Sequence, residues 1–141
     1  MLKERDMLTK GLAAFRDCLS VVPSLVIDSI EAIASREGPD YRACIRAEGV
    51  PQQIIYLEIN TLGAPKSARA AVNSLLRKLQ TEGEAYGVFV APYISPSSAG
   101  LCADAGIGTV DLAGNCRIAF QQVFISREKM RNPYSMNPGL K

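Results

Sequence analysis

Two acidic residues, Asp40 and Glu58, and the amide Asn60 are the side chains of this sequence whose types and spacing point to chemistry. Asp40 begins one segment of alternating apolar and polar residues and Glu58 lies near the end of the next, so the pattern predicts two neighbouring strands. Side chains directly opposite each other on such strands have Cβ atoms about 4.5 to 5.5 Å apart. Two carboxylates at that separation can share a Mg²⁺ ion, which would activate water and stabilise charge on phosphate oxygens. The alternative is that both carboxylates are solvated charges on the outer face of a hairpin.

The composition is that of one globular domain, and it excludes several kinds of active site. The chain has 141 residues, of which 48% are hydrophobic, and a net charge of +2; one core is expected at this length. We predict a single domain over residues 1–128 and a flexible C-terminal tail at 129–141. The sequence has no histidine, which excludes the Ser-His and Cys-His nucleophile pairs. The four cysteines are too widely spaced for a zinc site, and we expect them to be core residues.

The location of the protein is predicted from two features of the sequence. No apolar stretch approaches the roughly 18 to 20 residues that would span a bilayer. The first 22 residues mix charges into their apolar positions, which is not the pattern of a signal peptide. We therefore predict a cytoplasmic protein without membrane contact.

Hydrophobic periodicity predicts an α/β fold with a central mixed sheet of about five strands flanked by helices. The predicted helices are 2–22, 65–82 and the shorter 95–105. The predicted strands are 24–35, 40–48, 54–60, 86–91 and a segment through 110 that returns over 117–120, and 122–125 is compatible with one more short edge strand. The strand at 24–35 also suits a helix, and its β-branched residues favour the strand. Turns are expected at 49–51 and at Gly114-Asn115, where the side chains of Asp111 and Asn115 can bond to nearby backbone.

The opening residues can now be placed, because the chain resembles the PD-(D/E)xK, or restriction-endonuclease-like, superfamily. The resemblance rests on Pro39-Asp40 at the start of the second strand, on Glu58-Ile59-Asn60 at the end of the third, and on the helix that follows directly. It covers about residues 25 to 110 and implies a restriction-endonuclease-like core. It also implies that Asp40 and Glu58 bind Mg²⁺ and that the protein hydrolyses phosphodiester bonds of DNA.

Asn60 departs from the family pattern. In the superfamily a lysine lies two residues after the glutamate and helps to position and activate the attacking water, whereas an asparagine carries no positive charge. Members of the superfamily replace this lysine or supply it from another position, and Lys66, at the start of the next helix, is the nearest candidate. The predicted catalytic residues are therefore Asp40, Glu58, Asn60 and Lys66. Glu31 is a further candidate, as a third acidic ligand.

Basic residues recur along the helix at 65–82. We predict that this face binds the phosphate backbone of DNA, and the alternative is a solvated helix face. The residues are Lys66, Arg69, Arg77 and Lys78.

The sequence leaves three functions open. The first is a Mg²⁺-dependent DNA nuclease, including a weak or degenerate one. The second is a catalytically inactive nuclease fold that binds DNA, and the third is a protein-interaction domain; either would suit a bacterial regulator or defence system. A homodimer is compatible with each of them.

Overall fold

A computed structural model gives the fold, and it describes residues 3–34 and 38–128. The elements are, in chain order, α1 (Glu4–Leu19), β1 (Leu25–Ala32), β2 (Tyr41–Ala47), β3 (Val50–Ile59), α2 (Pro65–Glu82), β4 (Ala85–Ala91), α3 (Pro96–Asp104), β5 (Gly108–Asp111), β6 (Cys116–Phe120) and β7 (Val123–Arg127). The predicted tail lies outside the described residues.

The strands form one mixed sheet in the order β1-β2-β3-β4-β5-β6-β7. The β3–β4 and β4–β5 pairs are parallel, and the other four pairs are antiparallel. The two parallel pairs are the ones joined through a helix, as parallel strands require. The α/β class, the mixed sheet and its flanking helices are thus as predicted from the periodicity.

The predicted number of about five strands is wrong, because the sheet has seven. Residues 108–127 fold into three short strands, which correspond to the predicted segment through 110, its return over 117–120 and the optional edge strand at 122–125. The β6–β7 hairpin turns at Gln121, whose φ of 49° lies in the left-handed region. The Gln121 side chain is held by hydrogen bonds from its Nε2 to the Pro51 carbonyl (3.1 Å) and to Gln53 Oε1 (3.0 Å). A local sequence pattern cannot predict such long-range contacts.

The start of β3 was also predicted too late. The strand begins at Val50 instead of Ile54, and the turn consists of Glu48 and Gly49 instead of residues 49–51. Pro51 is accommodated because β4 joins β3 only from Ile54 onward, so the missing N–H of the proline removes no bond to β4.

The helices cover the two faces of the sheet and create two core clusters. Helix α1 packs on one face through residues such as Met7 and Phe15, and α2 and α3 pack on the other, where Leu75 is fully buried. Strand β4 is buried on both faces, with Val88 and Val90 toward α1 and Phe89 toward α2, as its continuous apolar run predicts.

The loop between β3 and α2 is fixed by a close backbone approach. A Cβ atom at Gly63 would collide with the carbonyl of Tyr93, so a residue without a side chain is needed there. Pro65 then occupies the first turn of α2, where its missing N–H costs nothing. No helix within the described residues has both the length and the apolar character needed to cross a membrane.

Candidate functional site

Asp40 and Glu58 lie opposite each other on neighbouring strands. The β2–β3 register pairs Tyr41 with Leu57, so Asp40, one residue before β2, faces Glu58, one residue further along β3. The Asp40 N–H donates to the Leu57 carbonyl (2.8 Å), and Asp40 Oδ2 accepts from the Ile59 N–H (2.7 Å). Asp40 is therefore fixed at the end of the sheet by the same strand that carries Glu58.

Glu58 is half-buried between the sheet and helix α2. Its Oε1 accepts a hydrogen bond from Ser74 Oγ (2.9 Å). The pKa of Glu58 is raised to about 7. Loss of solvent is the main cause and the nearby Asp40 carboxylate adds to it, whereas the Ser74 hydrogen bond and the Arg77 charge act in the opposite direction. A carboxylate with this pKa exchanges its proton near neutral pH, a property common at functional sites.

The pKa of Asp40 is raised as well. Burial is the main cause, the Ile59 N–H opposes it, and the charge of Glu4 adds to the increase. Glu4 belongs to the first turn of α1, on a different element and 36 residues away. The site thus contains negative charge that is only partly compensated, which is the condition that favours a bound cation.

Glu4, Ser74 and Arg77 lie at the site, and the sequence analysis did not place them there. Arg77 was predicted only as a phosphate-binding residue, yet its charge acts on Glu58. It follows Ser74 by three residues, which is about 4.5 Å along the axis of α2 at 1.5 Å per residue. The helical spacing of Ser74 and Arg77 indicates that Arg77 lies near Glu58, but only when the contact between Ser74 and Glu58 is already known.

The structure does not bring Asn60 and Lys66 to the carboxylates in the same way. Asn60 Oδ1 accepts from the Leu62 N–H (3.3 Å), so the side chain is turned toward the loop. Lys66 is exposed and precedes Ser74 by eight residues, about 12 Å along the helix axis. Among the described residues, no ion pair joins Lys66 to Asp40 or Glu58. The role of Lys66 as a substitute lysine stays a prediction.

The basic residues of α2 differ in their surroundings. Lys66, Arg69 and Arg77 are exposed. Lys78 is half-buried, with its Nζ 4.0 Å from Glu82 Oε2 and 5.3 Å from the centre of the Tyr56 ring. Lys78 is therefore partly engaged within the protein, and the other three residues are the ones free to approach a ligand through solvent.

Strand β2 contributes another cation on the same face of the sheet. Arg42 pairs with Tyr56 in the β2–β3 register and hydrogen-bonds its hydroxyl, which also donates to Glu82 Oε1 (2.7 Å). Glu31 lies opposite Arg42 on β1, and its role as a third ligand stays a prediction. Arg42 thus lies near Tyr56 and Glu82, whereas Arg77 is the arginine whose charge acts on Glu58.

Asp111 and Asn115 have the structural role predicted for them. Asp111 is 2% exposed, and its two carboxylate oxygens accept hydrogen bonds from four groups. The donors are the N–H groups of Ile94, Ala113 and Asn115 and the Nδ2 of Asn115. The four cysteines are all buried and unpaired, as expected for core residues.

The donor set at the carboxylate pair suits Mg²⁺. Within residues 3–34 and 38–128 no group of three or more His, Cys, Asp or Glu side chains is arranged to hold a metal. Mg²⁺ does not need such a cage, since it is commonly bound by one or two carboxylates and keeps several waters or substrate oxygens. The carboxylate oxygens of Asp40 and Glu58 are therefore of the kind that could hold a Mg²⁺ ion.

Comparisons with known proteins do not add a relative. No protein-family model, curated protein or solved structure matches this chain.

Proposed function

We propose that this chain is a restriction-endonuclease-like domain that hydrolyses DNA phosphodiester bonds with Mg²⁺ held by Asp40 and Glu58. The observation that carries the proposal is the register that sets these two half-buried carboxylates opposite each other, each with a raised pKa. Carboxylates that are only solvated surface charges would not be expected to have raised pKa values.

The roles of the residues follow from their contacts. Hydrogen bonds engage Oδ2 of Asp40 and Oε1 of Glu58, and the two carboxylates together would hold the metal. When bound, Mg²⁺ would supply a nucleophilic water and neutralise charge on the phosphate. Glu58 must release its proton before it can act as a ligand, so its pKa of about 7 couples metal binding to pH.

Arg77 is the cation we assign to the phosphate in place of the missing lysine. Asn60 carries no charge and bonds to the loop, whereas the Arg77 charge already acts on Glu58. A guanidinium can donate two parallel hydrogen bonds to phosphate oxygens and stabilise charge that develops there. Because an arginine cannot be deprotonated near neutral pH, it would not replace lysine in proton transfer.

Cleavage of DNA by matched variants tests this proposal. Plasmid and single-stranded DNA are incubated with the purified protein in Mg²⁺ or Mn²⁺. We expect Asp40→Asn and Glu58→Gln, which keep size but remove ligand charge, to abolish cleavage. The control Glu48→Gln removes an exposed carboxylate from the β2–β3 turn and should leave cleavage unchanged. Metal-dependent cleavage that survives both site variants would refute the site.

Asn60→Lys separates a working site from a degenerate one. A lysine at this position restores the cation of the family motif, so it should preserve or raise the activity of a working site. If the wild type does not cleave DNA and Asn60→Lys does, the site is degenerate but correctly located.

The second candidate is a catalytically inactive domain that binds DNA. It is favoured by the loop contact of Asn60 and by the exposed cations Lys66, Arg69 and Arg77. Binding through these residues should weaken steeply with salt, and Arg69→Ala should lower the log-log salt slope by about one. Arg16→Ala, on the exposed face of α1, is the matched control. Absence of DNA binding at low salt would favour a protein-interaction domain instead.

A further inference from the structure

A row of paired polar residues crosses strands β5, β6 and β7. Thr109 pairs with Arg117, and Arg117 pairs with Ser126. Residues directly opposite each other on antiparallel strands point to the same face of the sheet, with Cβ atoms about 4.5 to 5.5 Å apart. Their chain neighbours Val110 and Ile118 belong to the core beneath α1. The row therefore lies on the opposite face, which is the face that carries α3.

These three residues line a cavity of about 250 Å³ between α3 and the strands. Arg117 and Ser126 are exposed, so the cavity opens to solvent beside them. A mainly apolar wall with a few convergent polar groups is the usual form of a small-molecule site. Helix α3 and the segment before it contribute the apolar part of the wall, with Tyr93, Ile94, Pro96 and Ala99.

The hydroxyl of Thr109 makes no hydrogen bond to another described residue. Thr109 is 5% exposed. Within residues 3–34 and 38–128 no side-chain oxygen is both fully buried and without a hydrogen-bond partner, so the accessible part of Thr109 includes its hydroxyl. That hydroxyl opens on the cavity, because the cavity is the space that Thr109 lines. A nearly buried hydroxyl without a hydrogen bond is unfavourable, and a polar ligand group would supply the bond.

Arg117 supplies a positive charge that is not neutralised by an ion pair. Among the described residues no ion pair or side-chain hydrogen bond engages its guanidinium. Arg127, on the neighbouring strand, is instead engaged by Asp17 and by the Gly114 carbonyl. A guanidinium binds a carboxylate through two parallel hydrogen bonds. The two hydroxyls of the row lie on either side of Arg117 and can donate to the same group.

Two carboxylates border the same cavity and limit the negative charge that it can accept. Asp111 is 2% exposed and its oxygens already accept hydrogen bonds from four groups. Glu128 is exposed at the other end of the wall. Their charges repel a doubly charged phosphate more strongly than a singly charged carboxylate. The cavity therefore favours a monoanion.

The volume of the cavity limits the size of the ligand. At ~30 Å³ per water molecule, 250 Å³ corresponds to the volume of about eight waters. An apolar cavity of about 150 Å³ holds a benzene molecule. A ring or a short alkyl chain that carries one carboxylate therefore fits this space.

We infer that the cavity between α3 and strands β5–β7 is a binding site for a small organic monocarboxylate. The carboxylate group binds the Arg117 guanidinium and accepts hydrogen bonds from the Thr109 and Ser126 hydroxyls. The apolar body of the ligand packs against the wall that α3 and the segment before it provide. The site does not depend on the function proposed for Asp40 and Glu58.

Titration of the full chain with benzoate, followed by amide NMR spectra, tests the inference. We expect saturable shifts at the amides of Thr109, Arg117 and Ser126. Benzyl alcohol has the same ring without the charge and should bind about tenfold more weakly, and phenyl phosphate should also bind more weakly than benzoate. Absence of saturable shifts at millimolar benzoate, or shifts confined to other parts of the chain, would overturn the site. Tighter binding of phenyl phosphate would overturn its assignment to a monocarboxylate.

Three variants separate specific binding from general attraction of an anion. Arg117→Gln should weaken benzoate binding about tenfold, because it removes a charged hydrogen-bond donor. Thr109→Val keeps the shape of the side chain but removes the hydroxyl, and should weaken binding about fivefold. The control Arg16→Gln removes the same charge from an exposed position of α1 and should leave binding unchanged. Equal weakening by Arg117→Gln and Arg16→Gln, or unchanged binding in Arg117→Gln, would overturn the inference.

Discussion

Glu58→Gln should make the protein more stable at alkaline pH and leave its stability nearly unchanged at acid pH. The substitution keeps an oxygen that can accept from Ser74 Oγ, which lies 2.9 Å from Glu58 Oε1, but it removes the ionisable group. In the wild type, Glu58 has a pKa raised from its ordinary value of 4.5 to about 7 by burial. The folded protein therefore holds the proton more tightly than the unfolded chain does.

The sign and the magnitude follow from this difference. The stability contributed by protonated Glu58 is fully present below the unfolded pKa of 4.5 and is lost as pH rises through about 7. At about 1.4 kcal/mol per pKa unit the full difference would be about 3 kcal/mol. Because Glu58 is only half-buried, solvent screening reduces the expected loss to about 1 to 2 kcal/mol.

Urea denaturation followed by circular dichroism measures the effect. The free energy of unfolding of the wild type, relative to Glu58→Gln, should fall by about 1 to 2 kcal/mol between about pH 5 and pH 8.5. Glu48→Gln, an exposed control, should track the wild type at both pH values. A difference between Glu58→Gln and the wild type that does not change with pH would refute the argument that burial raises the Glu58 pKa.

Mg²⁺ extends the same experiment to the proposed metal site. At a Mg²⁺ concentration ten times the dissociation constant, binding should add about 1.4 kcal/mol to the free energy of unfolding of the wild type at alkaline pH. Glu58→Gln should gain much less, because it lacks one of the two ligand charges. Equal stabilisation of both proteins would show that Mg²⁺ binds elsewhere.

Three further substitutions test the structure around the site. Asp111→Ala should lower the free energy of unfolding by about 3 kcal/mol or more, because three backbone N–H groups and the Asn115 side-chain amide lose their acceptor. Urea or thermal denaturation measures this loss. A loss below about 1 kcal/mol would contradict the buried network. Gly63→Ala should lower the free energy of unfolding by about 2 kcal/mol or more, since the added Cβ would collide with the Tyr93 carbonyl. The control Gly100→Ala, in open space within α3, should raise it by about 0.5 to 1 kcal/mol. Equal effects of the two substitutions would contradict the collision. Ser74→Ala removes the hydrogen bond to Glu58 and should raise the Glu58 pKa further, so the carboxyl resonance in NMR should titrate at higher pH than in the wild type; an unchanged midpoint would contradict this contact.

The sequence by itself determined the local elements of this protein. The apolar periodicity of α1 and α2 gave both helices, and the continuous apolar run of β4 identified a strand buried on both faces. The alternation in β2 and β3 placed Asp40 and Glu58 on neighbouring strands, because side chains on a strand repeat every two residues. It did not fix where β3 begins or how many strands follow β5, since those depend on pairing partners elsewhere in the chain.

Tertiary structure alone decided what surrounds the carboxylates. Glu4, Ser74 and Arg77 belong to helices whose approach to the sheet is set by the packing of two core clusters, and this packing brings their side chains to Asp40 and Glu58. The local sequence pattern predicts which face of a helix or strand is apolar. Which side chains come into contact there depends on how the helices and strands pack together.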